Sequence, residues 1–573
     1  MKKIIFAISI CCSQLLIQCG NGSDSNSKNI STDTAVIAAG KKSFGQNCSG
    51  CHDFVHAGIG PALGGITDEV PVQWLHDFIK DSKQVISSGD KRADSLFKQF
   101  KSVMPSFVNL NDGDLDAIIA FLHTNKSSPR LTKQTQQGIS NPIPEKIKLS
   151  GLTVNLIPFA QFPASAKSGV FPKTRITKLG YEPGSGSLFI NDLRGKLYKL
   201  KNGVPRTYLD ISKQIHGFIT EPGLATGFGS FAFHPDFAKN GLLYTTHTEA
   251  PGAVKADFRY NDSIKVTVQW VLTEWKVSDR SADTLKGTHR ELLRIDMVSG
   301  AHGVQEIVFD PLSKQGDKDY GLLYIGIGDG ASVQEGFPFL AHGKNKIYGA
   351  IIRIDPLGKN SANGKYGIPA GNPFFHDKDS GTIKEIYAYG FRNPHRLTWT
   401  KAGEMLACNV GQTNIESIYL INPGADYGWP IREGSFVMDP HSDLNNIFPL
   451  PADDSVYHIT YPIVQFDHDE GNAISGGYEY WGNNISELKG KFLFGDIPSG
   501  RLFYINTADI QTKPVIREWK ITINGTPKTL KEVCGSDRVD LHFGRDASGE
   551  LYVLTKSDGK VYKIASAHMN PGN

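Results

Sequence analysis

The stretch KEIYAYGFRNPHRLTWTKAGEMLACNVGQTNIESIYLINPGADYGWP, residues 384–430, decides how the larger part of this chain is read. Short apolar runs alternate in it with polar turns, the pattern of pleated strands joined by tight connections. The turns carry a cation (Arg392), amides (Asn393, Gln412, Asn414), a lone carboxylate (Glu416) and a Gly-Trp pair (Gly428, Trp429). Turn residues of successive strands collect at one rim of a sheet assembly, where loops on a rigid scaffold carry chemistry.

The same strand pattern recurs from Gly151 to about Ile564: Ser187 to Asn191, Gly241 to Thr246, Gly321 to Gly326, Glu404 to Cys408 and Gly549 to Leu554. Each run follows a glycine or polar turn and carries an apolar doublet or a Leu-Tyr pair. With almost no helical periodicity, this recurrence predicts a propeller or a solenoid, a β-sandwich array being the competing architecture. The 573 residues suit two or three domains. A net charge of +3 on such a chain suggests neither a nucleic-acid footprint nor an acidic tail. The 60 glycines and 10% aromatics favour many turns over long helices.

At the N-terminus, Lys2 and Lys3 precede an apolar run, Ile4 to Ile17, that is too short to span a bilayer. Cys19 and a Ser/Asn/Gly-rich stretch follow, so residues 1–19 are expected to be an export signal and 20–33 a disordered tether. The segment resembles a bacterial lipoprotein signal with Cys19 as the lipidated residue, although Gln18 departs from the usual small residue. A plain secretory signal is the alternative. Either places the chain outside the cytoplasm, in the periplasm or at the outer membrane, with membrane contact only through lipid.

Residues 34–125 form the next expected domain. Cys48-Ser49-Gly50-Cys51-His52 is the C-x-x-C-H pattern in which two thiols take haem as thioethers and the imidazole ligates iron; alone it could also be a redox C-x-x-C. Met104 is the one methionine between Met1 and Met297, and it lies beyond a helical stretch at Trp74 to Lys80 and before an amphipathic stretch at Asp112 to His123. That makes Met104 the expected sixth ligand, with a core methionine and His56, His76 or His123 as alternatives. With Gly60-Pro61-Ala62-Leu63, the region resembles a class I cytochrome c, a small all-α domain with one covalent haem c. His-Met ligation implies a high potential and an electron-accepting role. Residues 126–149, rich in Ser, Thr, Gln and Pro, read as an exposed linker.

Residues 150–566 resemble the calcium- and pyrroloquinoline quinone (PQQ)-dependent soluble glucose and aldose sugar dehydrogenases. The motifs are G-x-R-N-P at Gly390 to Pro394, G-x-L at Gly403 to Met405, and the Glu416 to Pro430 run. This likeness implies an all-β six-bladed β-propeller. It implies His302 as general base and Asp329, which closes the Tyr324 to Asp329 strand, as the carboxylate holding that imidazole. Oxidising an anomeric hydroxyl needs such a base while hydride leaves for the quinone. It also implies Arg392 as catalytic stabiliser of the developing quinone charge, with Asn393 and Arg538 as further PQQ contacts. Gly411 and Gln412 would offer carbonyls to the calcium at PQQ, and Glu416 and Tyr427 would serve a second calcium. His234, in Phe233 to Phe237, reads as structural. Two departures stand out: Ala225 replaces a cofactor-contacting glutamine, and Pro498 a cofactor-binding lysine. Cys408 and Cys534 read as buried thiols, with pairing between them left open.

The expectation is an exported quinoprotein oxidising an aldose sugar or related alcohol and passing electrons through the fused haem to a periplasmic or membrane chain. The alternatives are a PQQ-less ligand-binding or adhesion module and a calcium-dependent lactonase-type hydrolase.

Overall fold

The computed structural model describes residues 30–48, 52, 54, 60–100, 103–104, 106–108, 110–126, 138–223, 225–252, 254–260 and 263–570. The expected signal, the lipidation residue Cys19, the haem-attachment residue Cys51 and the alternative ligand His56 lie outside them.

A helical domain comes first. The helix Thr34–Asn47 starts where the Asp33 carboxylate accepts the N–H groups of Ala35 and Val36. The helix Asp112–Thr124 starts on a capping box between Asn111 and Asp114. Leu115, Ile118, Ile119 and Leu122 recur at helical spacing and are buried; several of them pack with Phe44, Ile66, Val70 and Leu75. The two helices meet at Gly40, where a Cβ would lie 1.8 Å from the Ala117 carbonyl oxygen, so only glycine permits the crossing. The helices Val72–Ser87 and Lys91–Phe100 complete the wall. Trp74 to Lys80, read from sequence as helical, lies inside the first of these.

The large domain is all β. Its strands run antiparallel in fours: from Ile176–Tyr181 to Val204–Asp210, Phe228–Phe233 to Gly287–Met297, Glu306–Phe309 to Ile386–Tyr389, Pro394–Trp399 to Val464–Asp467, and Ile474–Glu479 to Arg517–Ile523. In the last group, Leu541–Arg545, Leu551–Thr555 and Lys560–Met569 are joined by the first strand, Lys148–Gln161, which pairs antiparallel with Lys560–Met569. Chain start and chain end of the domain thereby share one sheet. The first strand of each run lies against the first strand of the next, and Leu541–Arg545 lies against Ile176–Tyr181 again.

A buried ionic cluster sits among these inner strands. Glu306 pairs with Lys178 through one oxygen and with Arg396 at 2.9 Å through the other. Lys178 Nζ also donates to Ile307 O (2.7 Å) and Ser230 Oγ (3.2 Å), and Arg396 donates to Thr177 O. Four inner strands thus meet at one carboxylate.

The linker is partly tied down. Ile139 N donates to Ile447 O (2.9 Å), Ile143 N to Asp467 Oδ2 (3.1 Å), and Lys146 pairs with Asp469 at 3.0 Å. Residues 138–147 therefore lie along the surface of the β domain, exposed or half-buried; isoleucines every fourth position, Ile139, Ile143 and Ile147, interrupt the polar run. The two domains also touch. Gly223 N donates to Gly45 O at 3.1 Å, and Lys83 stands 3.5 Å from Asp537.

Replacing Glu306 by Ala would strand two buried cations and is expected to lower unfolding free energy by about 3–5 kcal/mol, measured by chemical denaturation. Asp94→Ala, which removes an exposed pair with Lys98, should cost no more than about 0.5 kcal/mol.

Candidate active site

Two cavities adjoin where the domains meet. The smaller, about 340 Å³, lies in the helical domain and is lined by Cys48, His52 and Met104 together with apolar side chains such as Leu75, Phe78 and Ile118. His52 Nδ1–H donates to Pro61 O at 2.8 Å, which leaves Nε2 as the lone-pair nitrogen. Burial holds the imidazole below its ordinary pKa, and a metal ligand must be neutral. Gly60 is pressed against this ring: a Cβ there would lie 2.2 Å from His52 Cε1. Trp74 Nε1 and Arg92 Nε line the same cavity, buried and without a hydrogen-bond partner. Two stranded donors in an apolar cavity fit a flat macrocycle that carries carboxylates. Of the alternative sixth ligands, His76 and His123 do not line this cavity, and His123 is bonded to Thr67 Oγ1 at 2.9 Å.

The larger cavity, about 910 Å³, opens among the inner rim loops of the β domain. His302, Arg392, Asn393, Gly411, Gln412 and Arg538 line it. Ala225 and Pro498, the two departures, line it as well. Three non-glycine residues in its wall have left-handed φ: His302 at 47°, Ala331 at 55° and Asp540 at 54°. Backbone strain of this kind gathers at functional sites.

His302 Nδ1–H donates to Asp329 Oδ1 at 2.9 Å. Asp329 is itself fixed by Ala331 N (2.8 Å) and Trp429 Nε1 (3.0 Å). The bond sets the tautomer and leaves Nε2 of His302 as the basic nitrogen. Burial and then the nearby Arg392 hold the imidazole below the ordinary histidine value, against the opposing pull of Asp329.

Arg392 Nε donates to Gln412 Oε1 at 2.8 Å, and its guanidinium lies 5.8 Å from the Trp429 ring centroid. Trp429 therefore ties the carboxylate behind His302 to the cation opposite it. Sequence reasoning singled out the Gly-Trp turn without seeing this, because its partners are far away in the chain.

Loop 411–415 is held from behind. Glu433 Oε1 accepts the N–H groups of Gln412 (2.7 Å), Thr413 (3.1 Å), Asn414 (3.0 Å) and Ile415 (3.0 Å). In a planar trans peptide the preceding carbonyl points opposite to the N–H, so the carbonyls of Gly411 and Gln412 face away from Glu433. Glu433 carried no pattern by which sequence reasoning could have found it.

Glu416 and Tyr427 are otherwise engaged. Glu416 accepts Gly411 N (3.2 Å), His468 Nε2 (3.2 Å) and Ile474 N (2.7 Å). Tyr427 OH donates to Leu420 O (2.9 Å) and accepts Asn422 N (2.8 Å). In the folded chain these side-chain oxygens are bonded to protein groups. Among the described residues no group of three or more His, Cys, Asp or Glu is placed to hold a metal ion; a site of main-chain carbonyls is of a different kind.

His234 Nδ1 accepts Asp236 N at 3.0 Å, and the residue lies off the cavity wall. Cys408 and Cys534 are both free thiols. Arg538 Nε donates to Asp540 Oδ1 at 2.7 Å, and Arg538 lines both cavities, as do Asn472 and Pro498. Lys41, Phe44, His52 and Phe121 of the helical domain complete the wall of the larger cavity.

The larger cavity fits a polyanion. Arg392, Arg396, Arg538 and Lys556 line it, and the donor Gln412 Nε2 is buried there without a partner. PQQ, a flat quinone with three carboxylates, has the matching chemistry.

Residues 182–563 match the family model described as Glucose / Sorbosone dehydrogenase, and residues 37–126 match the one described as Cytochrome c. The HIPL1 protein of Arabidopsis thaliana is 26% identical over 406 residues, covering 62% of this chain and 55% of its own. The Hedgehog-interacting protein of Homo sapiens is 25% identical over 393 residues, covering 66% and 49%. The chain spans about half the length of these curated relatives. The structure of the soluble aldose sugar dehydrogenase of Escherichia coli in the apo-form aligns with a TM-score of 0.50 at 17% identity, over 73% of this chain and 100% of that one, a likeness of fold. No described helix is long and apolar enough to cross a membrane. The match over residues 182–563 makes this chain a member of the glucose/sorbosone dehydrogenase family, carrying a cytochrome c domain ahead of its β domain.

Proposed function

We propose that the β domain is a six-bladed propeller that oxidises an aldose sugar or related alcohol with PQQ and calcium, and that the tethered haem c takes up the electrons. One observation carries this reading: the cavity that holds His302, Asp329's partner, together with Arg392 is walled on one side by the helical domain, and Arg538, Asn472 and Pro498 face both cavities.

PQQ, when bound, supplies a two-electron acceptor for hydride, and haem supplies a one-electron acceptor. His302 Nε2 takes the substrate hydroxyl proton, so that hydride and proton leave together and charge balances. Asp329 keeps the tautomer and stabilises the imidazolium. Arg392 places positive charge where negative charge grows, already oriented by Gln412 and Trp429, so little reorganisation is needed. Asn393 and Arg538 would add cofactor contacts, and the Gly411 and Gln412 carbonyls would hold calcium. His52 and Met104 would ligate the haem iron, with Cys48 and Cys51 as thioethers. Export, with lipid attachment at Cys19, belongs to the same reading and puts the electrons within reach of a periplasmic or membrane chain. Covalent tethering keeps the acceptor at high effective concentration.

A second reading is a ligand-binding module without PQQ. The likeness to Hedgehog-interacting protein favours it, as do Ala225 and Pro498; the His302, Asp329 and Arg392 constellation weighs against it. Loading the protein with PQQ and calcium and adding a panel of sugars decides between them: the proposal expects reduction of the haem spectrum, and no reduction by any sugar would overturn it.

His302→Ala is expected to lower kcat about 10²–10⁴-fold while PQQ stays bound. Because the base acts unprotonated and its pKa lies below 6.5, the acidic limb of kcat/KM should fall below pH 6.5, with a flat profile through neutrality. Removing the cation in Arg392→Gln should move that limb to higher pH, and Asp329→Asn should move it lower. In the other domain, Gly60→Ala pushes a methyl into the His52 ring; haem should stay covalently attached on a denaturing gel while the low-spin absorption spectrum is lost.

A further inference from the structure

Lys556 follows the strand Leu551–Thr555 and is only 8% exposed, yet it lines the larger cavity. Its backbone N–H donates to Asp540 O at 3.1 Å, which fixes it beside the Arg538–Asp540 pair. The ammonium does not share that pair. Asp540 Oδ1 is bonded to Arg538, and Oδ2 is buried with no hydrogen-bond partner, so Lys556 Nζ is not within bonding reach of it. His542, also lining the cavity and 5% exposed, has both ring nitrogens unpartnered.

The surrounding charge is lopsided. Arg538, Arg175 and Arg194 all act on Lys556 against the one carboxylate of Asp540. Burial first, and then these cations, push its pKa down to about 8. Lys178 and Arg396, also buried, differ in that each is paired with a carboxylate, that of Glu306. A buried ammonium with three donors and no acceptor is costly unless an anion enters.

We propose that Lys556 binds a carboxylate of the quinone cofactor in the larger cavity, supplying from a different stretch of the chain the cation that Pro498 does not provide. This rests on the PQQ reading above. His542 stands as a neutral neighbour, held uncharged by burial, able to donate or accept one further bond. The same placement accounts for a family member that keeps a polyanion cavity despite proline at position 498: Pro498 O accepts Val539 N and Val539 O accepts Ser557 N, so the charge has moved to a neighbouring stretch of the same wall.

The test is equilibrium titration of the apo full-length protein with PQQ in the presence of calcium, followed by cofactor absorbance and by calorimetry. Lys556→Met, similar in length and without charge, should weaken PQQ binding about 10- to 100-fold, the range for losing one charge-assisted hydrogen bond. Lys556→Arg should stay within about threefold of wild type, because charge and donors are kept. Apo Lys556→Met should melt no lower than wild type, since it removes an unpaired buried charge; a merely structural lysine would lower the melting temperature instead. Should Lys556→Met be poorly folded, Lys556→Gln serves for the same titration. Equal PQQ affinity in wild type and the uncharged variants overturns the assignment and leaves the proposed function standing. Failure of wild type itself to take up PQQ removes the proposed function and this assignment with it.

Discussion

The contact between Glu306 and its two cations is the constraint on which the β domain depends. Glu306, Lys178 and Arg396 belong to three different runs of strands, and Ser230 adds a fourth. Sheets that twist and pack only through apolar side chains can slide by a residue with modest loss. A buried carboxylate bonded on both oxygens favours one register. The rim loops inherit that register: His395 and Arg396 are neighbours, and Arg392 stands four residues before Arg396 on the same turn-strand unit. The position of the guanidinium that faces His302 is thus set by an ion pair deeper in the molecule.

Around the cavity the same device recurs at smaller scale. Buried carboxylates accept backbone N–H groups and hold loops from the side away from the cavity: Glu433 for residues 412–415, and Glu416 for Gly411 and Ile474. Asp329 does this for Ala331 while orienting His302. Each arrangement turns a loop into a rigid support, so the polar groups left facing the cavity need not reorganise when charge develops there.

Much of this was legible in the sequence, for reasons that differ by element. The Asp112–Thr124 helix showed itself through the spacing of Leu115, Ile118, Ile119 and Leu122, a purely local signal. The strand repeats are local too. The pairing of His302 with Asp329 spans 27 residues and was reached through family resemblance, not through spacing. Trp429 lies 100 residues from the carboxylate it holds, and no window of sequence joins them. Lys556 sits in a Thr-Lys-Ser-Asp-Gly turn that reads as an ordinary solvated hairpin until the fold buries it. Glu416 shows the same limit: a carboxylate in a tight loop gives no sign in the sequence of the three protein donors that surround it in the folded chain. The seat of the helical domain on the β domain depends on surface shapes such as Gly45 against Pro222 and Gly223, which composition does not encode.

The partition formed by Asn472, Pro498 and Arg538 has a consequence for how such a chain can change over time. A side chain that faces two chambers answers to both, so any exchange at these three positions reshapes each chamber at once. Variation there is doubly filtered, and the two halves of the molecule are bound to drift in step along this wall.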